Sequence, residues 1–312
     1  MLMRLYFLEG LVSQVIKEWS NGEAQYGIKF VYESLGDWCG KLAVAAAGGS
    51  KGRQTQSHLG EINVAILDSS FNPPHVCHQA YLECVSRTPL RRPACRASVG
   101  NSERVPIHGL IMLLGTLNCD KGLTGASLAQ RLEMMEVMAK DICARATKHV
   151  DMGDDKGGHP AQACANIATG LCATPRFVDK AKHLREFITA RAGKEGPEVN
   201  LYFMMGWDTL VRFFDPKYYS QYPDDVYPFF SGGGRIIFAR RGGYSDAKVD
   251  EFIRESIPAP LLEYIYELKL PKNLALVSST LARQAVRGRT NDVEIIPQGV
   301  QEIIARDGLY HC

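Results

Sequence analysis

Two histidines, His75 and His78, are the first residues of this chain whose types and spacing could do chemistry. Residues three apart on the first turn of a helix lie on the same side, so both imidazoles would face the same way. A helix N-terminus also presents free backbone N–H groups and the positive end of its dipole, which attract phosphate. The spacing therefore predicts a phosphate site at the start of a helix.

The residues before the histidines predict the elements that would position them. Residues 62–67 form an apolar run typical of a parallel strand buried on both faces, and Asp68 ends it. Residues 69–74 have turn chemistry, with two prolines that fix the backbone ahead of a helix. Strand, stiff turn and helix start would thus place the histidines at one edge of a sheet.

A second phosphate-binding pattern lies near the end of the chain. Ser278, Ser279 and Thr280 follow a predicted last strand over residues 273–277. Hydroxyls and backbone amides at a helix N-terminus can hold phosphate oxygens, and Arg283, one turn later, can add a fork of donors. Taken alone, such residues usually form only a helix cap.

Two further candidates follow predicted strands. Gly206, after the strand predicted over 199–205, would let a flat ring approach the backbone, and Asp208 could cap a helix or accept from a ribose hydroxyl. Trp207 could contact a base or pyridine ring, although a structural tryptophan is an equally good interpretation. Lys121 follows a strand predicted over 107–115, where ligands gather in open α/β sheets, and a solvated surface lysine is its alternative.

Together the motifs resemble the nucleotidyltransferase superfamily related to class I tRNA synthetases. S-F-N-P-x-H-x-x-H spans residues 70–78, G-x-D spans 206–208, and S-S-T-x-x-R spans 278–283. The likeness is greatest to nicotinamide/nicotinate mononucleotide adenylyltransferases, especially the fungal-type branch with D-S-S-F-N-P-P, and the ending IPQGVQEIIARDGLY fits it. Two residues depart from the pattern. Many members have glycine in place of Ser69, and glycine or alanine is usual in place of Cys77.

The resemblance implies transfer of the adenylyl group of ATP to nicotinamide or nicotinate mononucleotide. Within it, His75, His78, Arg283 and Lys121 would be the catalytic residues, and Mg²⁺ would arrive with ATP without a metal site in the chain. The nucleotide contacts it implies are Ser69, Ser70, Phe71, Gly206, Trp207, Asp208, Ser278, Ser279 and Thr280.

Two alternatives remain open. The first is a cytidylyltransferase acting on a phosphorylated alcohol. The motif at residues 278–283 argues against it, because it matches the form found with pyridine nucleotides and not the form R-T-x-G-I-S-T. The second is a non-catalytic nucleotide-binding scaffold, which Ser69, Cys77 and the unexplained first 60 residues would allow. The intact His75, His78 and Arg283 favour an enzyme.

Alternating strands and helices predict a doubly wound, Rossmann-like parallel α/β sheet of the nucleotidyltransferase type. Residues 1–60 would be an N-terminal extension of unknown role packed against the core. Residues 61–312 would form the nucleotidyltransferase domain, with insertions near 86–106 and 151–175. A helix is also predicted over 260–268.

Composition narrows the class of protein. The 312 residues carry a formal charge of only +2, which does not favour nucleic acid or a membrane as the main partner. Nine cysteines without a C-x-x-C pair fit reduced thiols, and hence the cytoplasm or nucleus. The first residues lack the pattern of a secretory signal, and no apolar run approaches the ~20 residues of a membrane helix. The oligomeric state is left open.

Overall fold

The fold was analysed in a computed structural model. It describes residues 2–23, 27–48, 60–91, 102–103, 105–116, 125–151, 160–192, 197–240, 244–274, 276–288 and 293–311.

The described residues form nine strands and eleven α-helices. The strands are β1 (Ile28–Glu33), β2 (Ile62–Asp68), β3 (Leu90–Arg91), β4 (Ser102–Glu103), β5 (Gly109–Gly115), β6 (Ile167–Cys172), β7 (Val199–Gly206), β8 (Gly234–Ala239) and β9 (Ile265–Glu267). The helices are α1 (Leu2–Ser20), α2 (Trp38–Gly48), α3 (Val76–Arg87), α4 (Leu128–Asp151), α5 (Pro160–Ala165), α6 (Phe177–Ala192), α7 (Trp207–Phe213), α8 (Tyr227–Ser231), α9 (Asp246–Ser256), α10 (Ser279–Val286) and α11 (Gln298–Asp307).

All nine strands join one sheet in the order β1-β6-β5-β2-β7-β8-β9-β3-β4. The six strands from β6 to β9 in this order are parallel, and β1, β3 and β4 pair antiparallel at the two edges. From β2 the chain first adds strands on one side, β5 and β6, and then on the other, β7 and β8. The predicted doubly wound α/β fold is confirmed, and the strand order reverses between β2 and β7, where such folds bind ligands.

Strand β2 lies at the centre of the hydrophobic core. Its alternate residues face opposite sides of the sheet, so Val64 and Ile66 join one buried cluster while Ala65 and Leu67 join another. All four side chains are buried. The helices cover both faces, which explains why the sequence of β2 reads as an unbroken apolar run rather than an alternating one.

The amino-terminal residues that the structure describes pack against this core. Helix α1 lies on α4, and Arg4 of α1 pairs with Glu136 of α4 at 2.6 Å. Strand β1 extends the sheet by pairing antiparallel with β6. The described part of the first 60 residues is therefore an integral layer of the fold. In this part and the other described ranges, no helix is long and apolar enough to cross a membrane.

The insertion predicted over 151–175 is wrong in its second half, because β6 lies there between β1 and β5. Its small residues read as loop, yet Gly170 is needed for close strand packing: a Cβ at this position would lie 2.6 Å from the backbone oxygen of Lys29. The insertion predicted over 86–106 contributes the edge strands β3 and β4, and residues 92–101 and 104 lie outside the described residues.

Two predictions near the carboxyl end were also wrong. The described residues of the strand predicted over 273–277 do not form a strand, because a short 3₁₀ helix over Lys272–Leu274 takes up the local hydrogen bonds and Leu276 is exposed. The helix predicted over 260–268 is a 3₁₀ helix followed by β9, which pairs with β8. Long-range pairing thus overrides the apolar periodicity of this segment.

Candidate active site

The two predicted histidines meet at the start of α3. His75 is the N-cap residue and His78 lies in the first turn, and their rings stack with centroids 3.7 Å apart and an angle of 24° between planes. Both residues are buried. The imidazoles therefore lie side by side next to the carboxyl end of β2, as the spacing predicts.

The ring of His78 is held at both nitrogens. Its Nδ1 accepts from the backbone N–H of His75 at 3.2 Å, and its Nε2 lies 3.0 Å from Oγ of Ser69. Phe71 packs against the ring at 4.9 Å. Burial, and then the positive charge that His75 can carry, hold the pKa of His78 well below its ordinary value of 6.5. His78 is therefore a neutral imidazole at neutral pH.

The third sequence motif lies directly beside the first. Ser279 Oγ donates to the backbone oxygen of Pro73 at 3.0 Å, and Arg283 Nη1 donates to that of Asn72 at 2.7 Å. Arg283 Nη2 also donates to Thr280 Oγ1 at 3.2 Å, which fixes the guanidinium on the surface of α10. The start of α10 is thus bonded to the turn that precedes the histidines.

The N-terminus of α10 is capped as the sequence predicts. Ser278 adopts the extended backbone of an N-cap, and its Oγ accepts from the backbone N–H of Leu281 at 3.2 Å. This bond occupies one of the free N–H groups of the first turn. The cap of α10 and the first turn of α3 lie on either side of the same turn.

Sequence reasoning missed three residues that hold this turn. The side-chain Oδ1 of Asn72 accepts from Tyr310 Oη at 2.7 Å and from the backbone N–H of Ala126 at 3.3 Å. Arg131 donates from Nη1 to the backbone oxygen of Ser70 at 3.3 Å and from Nε to that of Ala126 at 2.9 Å. Asn72 and Tyr310 occur in the matched motifs, but Arg131 gave no signal beyond its place in an amphipathic helix.

Arg131 brings a second guanidinium to the site. Its side chain is almost fully buried. Burial lowers the pKa of Arg131; Tyr310 raises this pKa, and the charge of Arg283 lowers it further. Because arginine is not deprotonated in proteins, the guanidinium group keeps its charge despite the lowered pKa. Two guanidinium groups therefore lie near one turn, which makes this edge of the sheet favourable for an anion.

The turn itself offers mixed groups to a ligand. Ser70 is exposed and Ser69 is half-buried, whereas the side chain of Phe71 is fully buried. Phe71 has a φ of 44°, a left-handed conformation that is uncommon for a residue with a Cβ. The role predicted for Phe71 in nucleotide binding can therefore rest only on its backbone. Lys121 lies outside the described residues.

Gly206 and Asp208 lie at the neighbouring strand end. Gly206 ends β7 next to β2, and a Cβ there would meet no atom within 4 Å, so the space beside it is open. Asp208 Oδ1 accepts from Tyr244 Oη at 3.3 Å. Trp207 is only 3% exposed and packs against Phe252, with ring centroids 5.1 Å apart. The structure thus places Trp207 in the core, in agreement with the structural alternative, and its contact with a ligand ring stays a prediction.

An ion pair that the sequence did not predict lies below the site. Lys180 of α6 pairs with Asp68 at the end of β2, and both side chains are less than a tenth exposed. The pair ties the strand that carries the turn to the helix on the opposite face. Asp68 is therefore engaged inside the protein, at the base of the candidate site.

The donor set suits an anion better than a cation. The groups around the turn are imidazoles, hydroxyls and guanidinium groups, which donate hydrogen bonds to phosphate oxygens. The nearby carboxylates of Asp68 and Asp208 already bind Lys180 and Tyr244. Over the described ranges, no group of three or more His, Cys, Asp or Glu side chains could hold a metal ion.

Comparison with known proteins adds one informative relative. No family model matches the chain. It is 28% identical over 254 residues to a Schizosaccharomyces pombe protein named "Putative nicotinamide mononucleotide adenylyltransferase", covering 77% of this chain and 83% of that protein. The sequence comparison confirms the resemblance that the three motifs indicate.

Solved structures give weaker likenesses. A Plasmodium falciparum nicotinic acid mononucleotide adenylyltransferase complexed with NaAD matches at 15% identity and a TM-score of 0.46, over 80% of this chain and 97% of that one. The same protein complexed with APC matches at 16% identity, again with a TM-score of 0.46 over 80% and 97%. A Vibrio parahaemolyticus protein named "Putative Nicotinate-nucleotide Adenylyltransferase" matches at 14% identity and a TM-score of 0.39, over 80% of this chain and 96% of that one.

Proposed function

We propose that the protein transfers the adenylyl group of ATP to nicotinamide or nicotinate mononucleotide, forming the dinucleotide and pyrophosphate. The observation that carries the proposal is the bond from Arg283 to the backbone oxygen of Asn72, at 2.7 Å. It joins the start of α10 to the turn before the histidines at the carboxyl edge of the parallel sheet. Two patterns that the sequence predicts to bind phosphate, far apart in the chain, thereby lie next to each other.

The reaction needs positioning and charge stabilisation rather than a base. The phosphate of the mononucleotide is already ionised at neutral pH and attacks the α-phosphorus of ATP; the bond from this phosphorus to the β-phosphate oxygen breaks, and pyrophosphate leaves with its electron pair. The protein must align two anions and stabilise the charge of an in-line transition state. A site built from imidazoles, hydroxyls and guanidinium groups suits that task.

Each predicted residue has a place in this scheme. His75 and His78 would bind phosphate oxygens of ATP at the start of α3. Ser279, Thr280 and Arg283 would hold the departing pyrophosphate, with Ser278 fixing the start of α10. Lys121 would reach the phosphate of the acceptor, and the open space beside Gly206 would admit a flat ring.

The backbone around these residues would complete the nucleotide site. Ser69, Ser70 and Phe71 would line the phosphate end through the turn, and Asp208 would accept from a ribose hydroxyl in place of Tyr244. Arg131 would act on the substrate through the turn, because its bonds to Ser70 and Ala126 go to backbone oxygens. It is a positioning residue in this scheme.

Magnesium fits as part of the substrate. Mg²⁺ would enter with ATP, held by phosphate and water oxygens, and would neutralise phosphate charge. The donors around the turn would then contact the phosphate oxygens that remain. Free cysteines among the described residues, of which Cys39, Cys164 and Cys172 are buried, support the part of the proposal that places the protein in the reducing cytoplasm or nucleus.

The test is pyrophosphate release from purified protein with Mg-ATP. Nicotinamide mononucleotide, nicotinate mononucleotide and no acceptor are offered in parallel, and CTP with a phosphorylated alcohol is the control for the cytidylyltransferase alternative. Release that depends on either mononucleotide supports the proposal and identifies the acceptor. Release only with CTP, or ATP binding without release, would replace it by the cytidylyltransferase or the scaffold.

A further inference from the structure

A cavity lies at the opposite end of the parallel strands from the candidate active site. It has a volume of about 220 Å³ and is lined by residues at the amino ends of β7, β8 and β9. The turn that carries the histidines follows the carboxyl end of β2 instead. Pockets that enclose a drug-sized ligand measure roughly 300–1,000 Å³. The cavity at the amino ends therefore suits one small group better than a nucleotide.

Carboxylates dominate the charge of this cavity. Its lining contains Glu61, Glu198 and Glu263, whereas a single described lining residue, Arg235, carries a positive charge. The guanidinium of Arg235 is already engaged, since Nη1 donates to two backbone oxygens, at 2.9 and 3.2 Å. The lining thus keeps an excess of negative charge, which favours a cation.

The carboxylates of the cavity are not arranged as a metal site. Within the ranges that the structure describes, no three His, Cys, Asp or Glu side chains are grouped so that they could hold a metal ion. Carboxylates spaced around a cavity suit a larger cation, whose charge is presented through several N–H donors. An ammonium group on a carbon chain is such a cation.

Asn200 supplies a buried acceptor at the cavity. Asn63 donates from Nδ2 to the backbone oxygen of Pro106 at 3.1 Å, so Asn63 turns its Oδ1 towards Asn200. Asn200 therefore donates from Nδ2, to Asn63 Oδ1 at 3.2 Å and to Glu61 Oε2 at 3.1 Å.

These two bonds use both N–H groups of the Asn200 amide. Its Oδ1 accepts no hydrogen bond from the part of the chain that the structure describes, although Asn200 is only 5% exposed and lines the cavity. A buried acceptor without a donor costs free energy, which a ligand with N–H groups would recover. The amide of Asn200 thus points to a ligand that donates hydrogen bonds.

Tyrosine rings form another wall of the cavity. Tyr202 and Tyr266 are buried on the two strands that flank β8, and their ring centroids lie 5.9 Å apart. The guanidinium of Arg235 lies over the ring of Tyr264, 4.6 Å from its centroid. Aromatic faces attract cations, and they also pack against the carbon chain that carries an ammonium group.

We propose that this cavity binds an alkylammonium group. The carboxylates and Asn200 Oδ1 accept from its N–H groups, and its carbon chain packs against Tyr202 and Tyr266. Two sources present this chemistry, a free aliphatic diamine and the side chain of a lysine in another protein. The inference is independent of the proposed function, because the cavity and the histidine turn lie at opposite ends of the strands.

The experiment titrates the full chain with putrescine, a short aliphatic diamine, by calorimetry at low salt. Nucleotide is left out, because amines also pair with phosphate. We expect a Kd of about 1 mM or lower. Glu61→Gln should raise this Kd about fivefold, and the double variant Glu61→Gln/Glu263→Gln about 20-fold, because each change removes a charge-assisted bond. Glu251→Gln, on the exposed surface of α9, is the matched control and should leave the Kd unchanged.

Two further ligands distinguish the sources. A short peptide with one lysine is compared with the same peptide acetylated at that lysine, and acetylation should abolish binding because it removes the charge. Tighter binding of putrescine supports the proposal with a free amine as the ligand. Tighter binding of the lysine peptide supports it with a protein side chain as the ligand.

The proposal would be overturned if neither putrescine nor the lysine peptide bound at up to about 10 mM. Binding that the double glutamine variant leaves unchanged would also contradict it. Inorganic phosphate is the probe for the opposite charge: phosphate binding that Arg235→Gln weakens, without any binding of putrescine, would assign the cavity to an anion.

A second readout does not depend on the variants. In ¹⁵N NMR spectra of the wild-type protein, putrescine should shift the backbone amide signals of Asn200 and Arg235 and leave those of residues 69–72 in place. Shifts confined to residues 69–72 would place the amine at the histidine turn and overturn the proposal. Thermal unfolding of each variant checks that the fold is kept.

Discussion

Arg283 donates from Nη1 to the backbone oxygen of Asn72 at 2.7 Å, although the two residues are 211 positions apart in the chain. One residue along the turn, Pro73 receives the hydroxyl of Ser279 at 3.0 Å. The start of α10 is therefore fixed against the start of α3 before any ligand arrives. Such preorganisation lets donors act on developing charge without first having to be ordered.

Arg283 should make a large contribution to adenylyl transfer. Arg283→Ala removes a charge-assisted fork worth roughly 1.5–3 kcal/mol per bond, so kcat/KM for ATP should fall about 100-fold. Arg283→Lys keeps the charge without the fork and should fall in between. The control is Arg254→Ala, which breaks only an exposed pair with Glu255. Steady-state kinetics that leave Arg283→Ala within threefold of wild type would contradict the assigned role.

The buried pair of Lys180 and Asp68 should be a large contributor to stability. Lys180→Met leaves the carboxylate of Asp68 buried without its partner, so the free energy of unfolding should fall by about 3–5 kcal/mol. Adding Asp68→Asn to that variant removes the uncompensated charge and should recover part of the loss. Urea unfolding of the single and double variants measures both effects. If Lys180→Met cost less than 1 kcal/mol, the pair would behave like an exposed one.

His78 should make stability depend on pH below neutrality. Its pKa in the folded protein lies well below 6.5, so between pH 6.5 and the folded-state pKa the unfolded chain binds a proton that the folded protein does not. Stability therefore rises with pH, and as the pH falls this group removes up to about 1.4 kcal/mol per pH unit.

The measurement for this pH effect is urea unfolding across a pH series. His78→Gln should flatten the slope between pH 6.5 and 5, whereas His311→Gln, at an exposed position, should leave it unchanged. An identical slope in His78→Gln and the wild-type protein would show that the buried imidazole is not the cause.

Substitutions at two glycines should distinguish an effect on folding from an effect on nucleotide binding. Gly170→Ala places a Cβ 2.6 Å from the backbone oxygen of Lys29 and should destabilise the protein by about 1–3 kcal/mol, because β1 must shift. Gly206→Ala meets no atom within 4 Å, so its melting temperature should match that of the wild type. Its KM for nucleotide should nevertheless rise if a flat ring approaches this backbone. A Gly170→Ala variant as stable as the wild type, together with a Gly206→Ala variant of lower melting temperature and unchanged KM, would contradict the roles assigned to both glycines.

The sequence predicted the parts of this site that local chemistry determines. His75 and His78, the cap at Ser278 and the arginine at Arg283 lie at strand ends and helix starts, where spacing and residue type restrict the geometry. The apolar run of β2 was equally clear, since a strand covered on both faces shows no alternation.

Features that depend on distant partners could not be predicted. Arg131 has the local pattern of a surface residue, and only the fold reveals that its guanidinium holds the turn. Lys180 and Asp68 are 112 positions apart. The sequence of β6 was interpreted as an insertion because it contains small residues such as Gly170, which is needed for contact with β1. The sequence of β9 was interpreted as a helix because the strand with which it pairs, β8, is distant in the sequence.

The most direct measurement uses ATP labelled at the α-phosphorus, incubated with the purified protein and each mononucleotide. The account predicts that the label appears in the dinucleotide, that unlabelled pyrophosphate is released in equal amount, and that Arg283→Ala suppresses both. Label found only in unreacted ATP, or in AMP formed without an acceptor, would contradict adenylyl transfer as the function of this site.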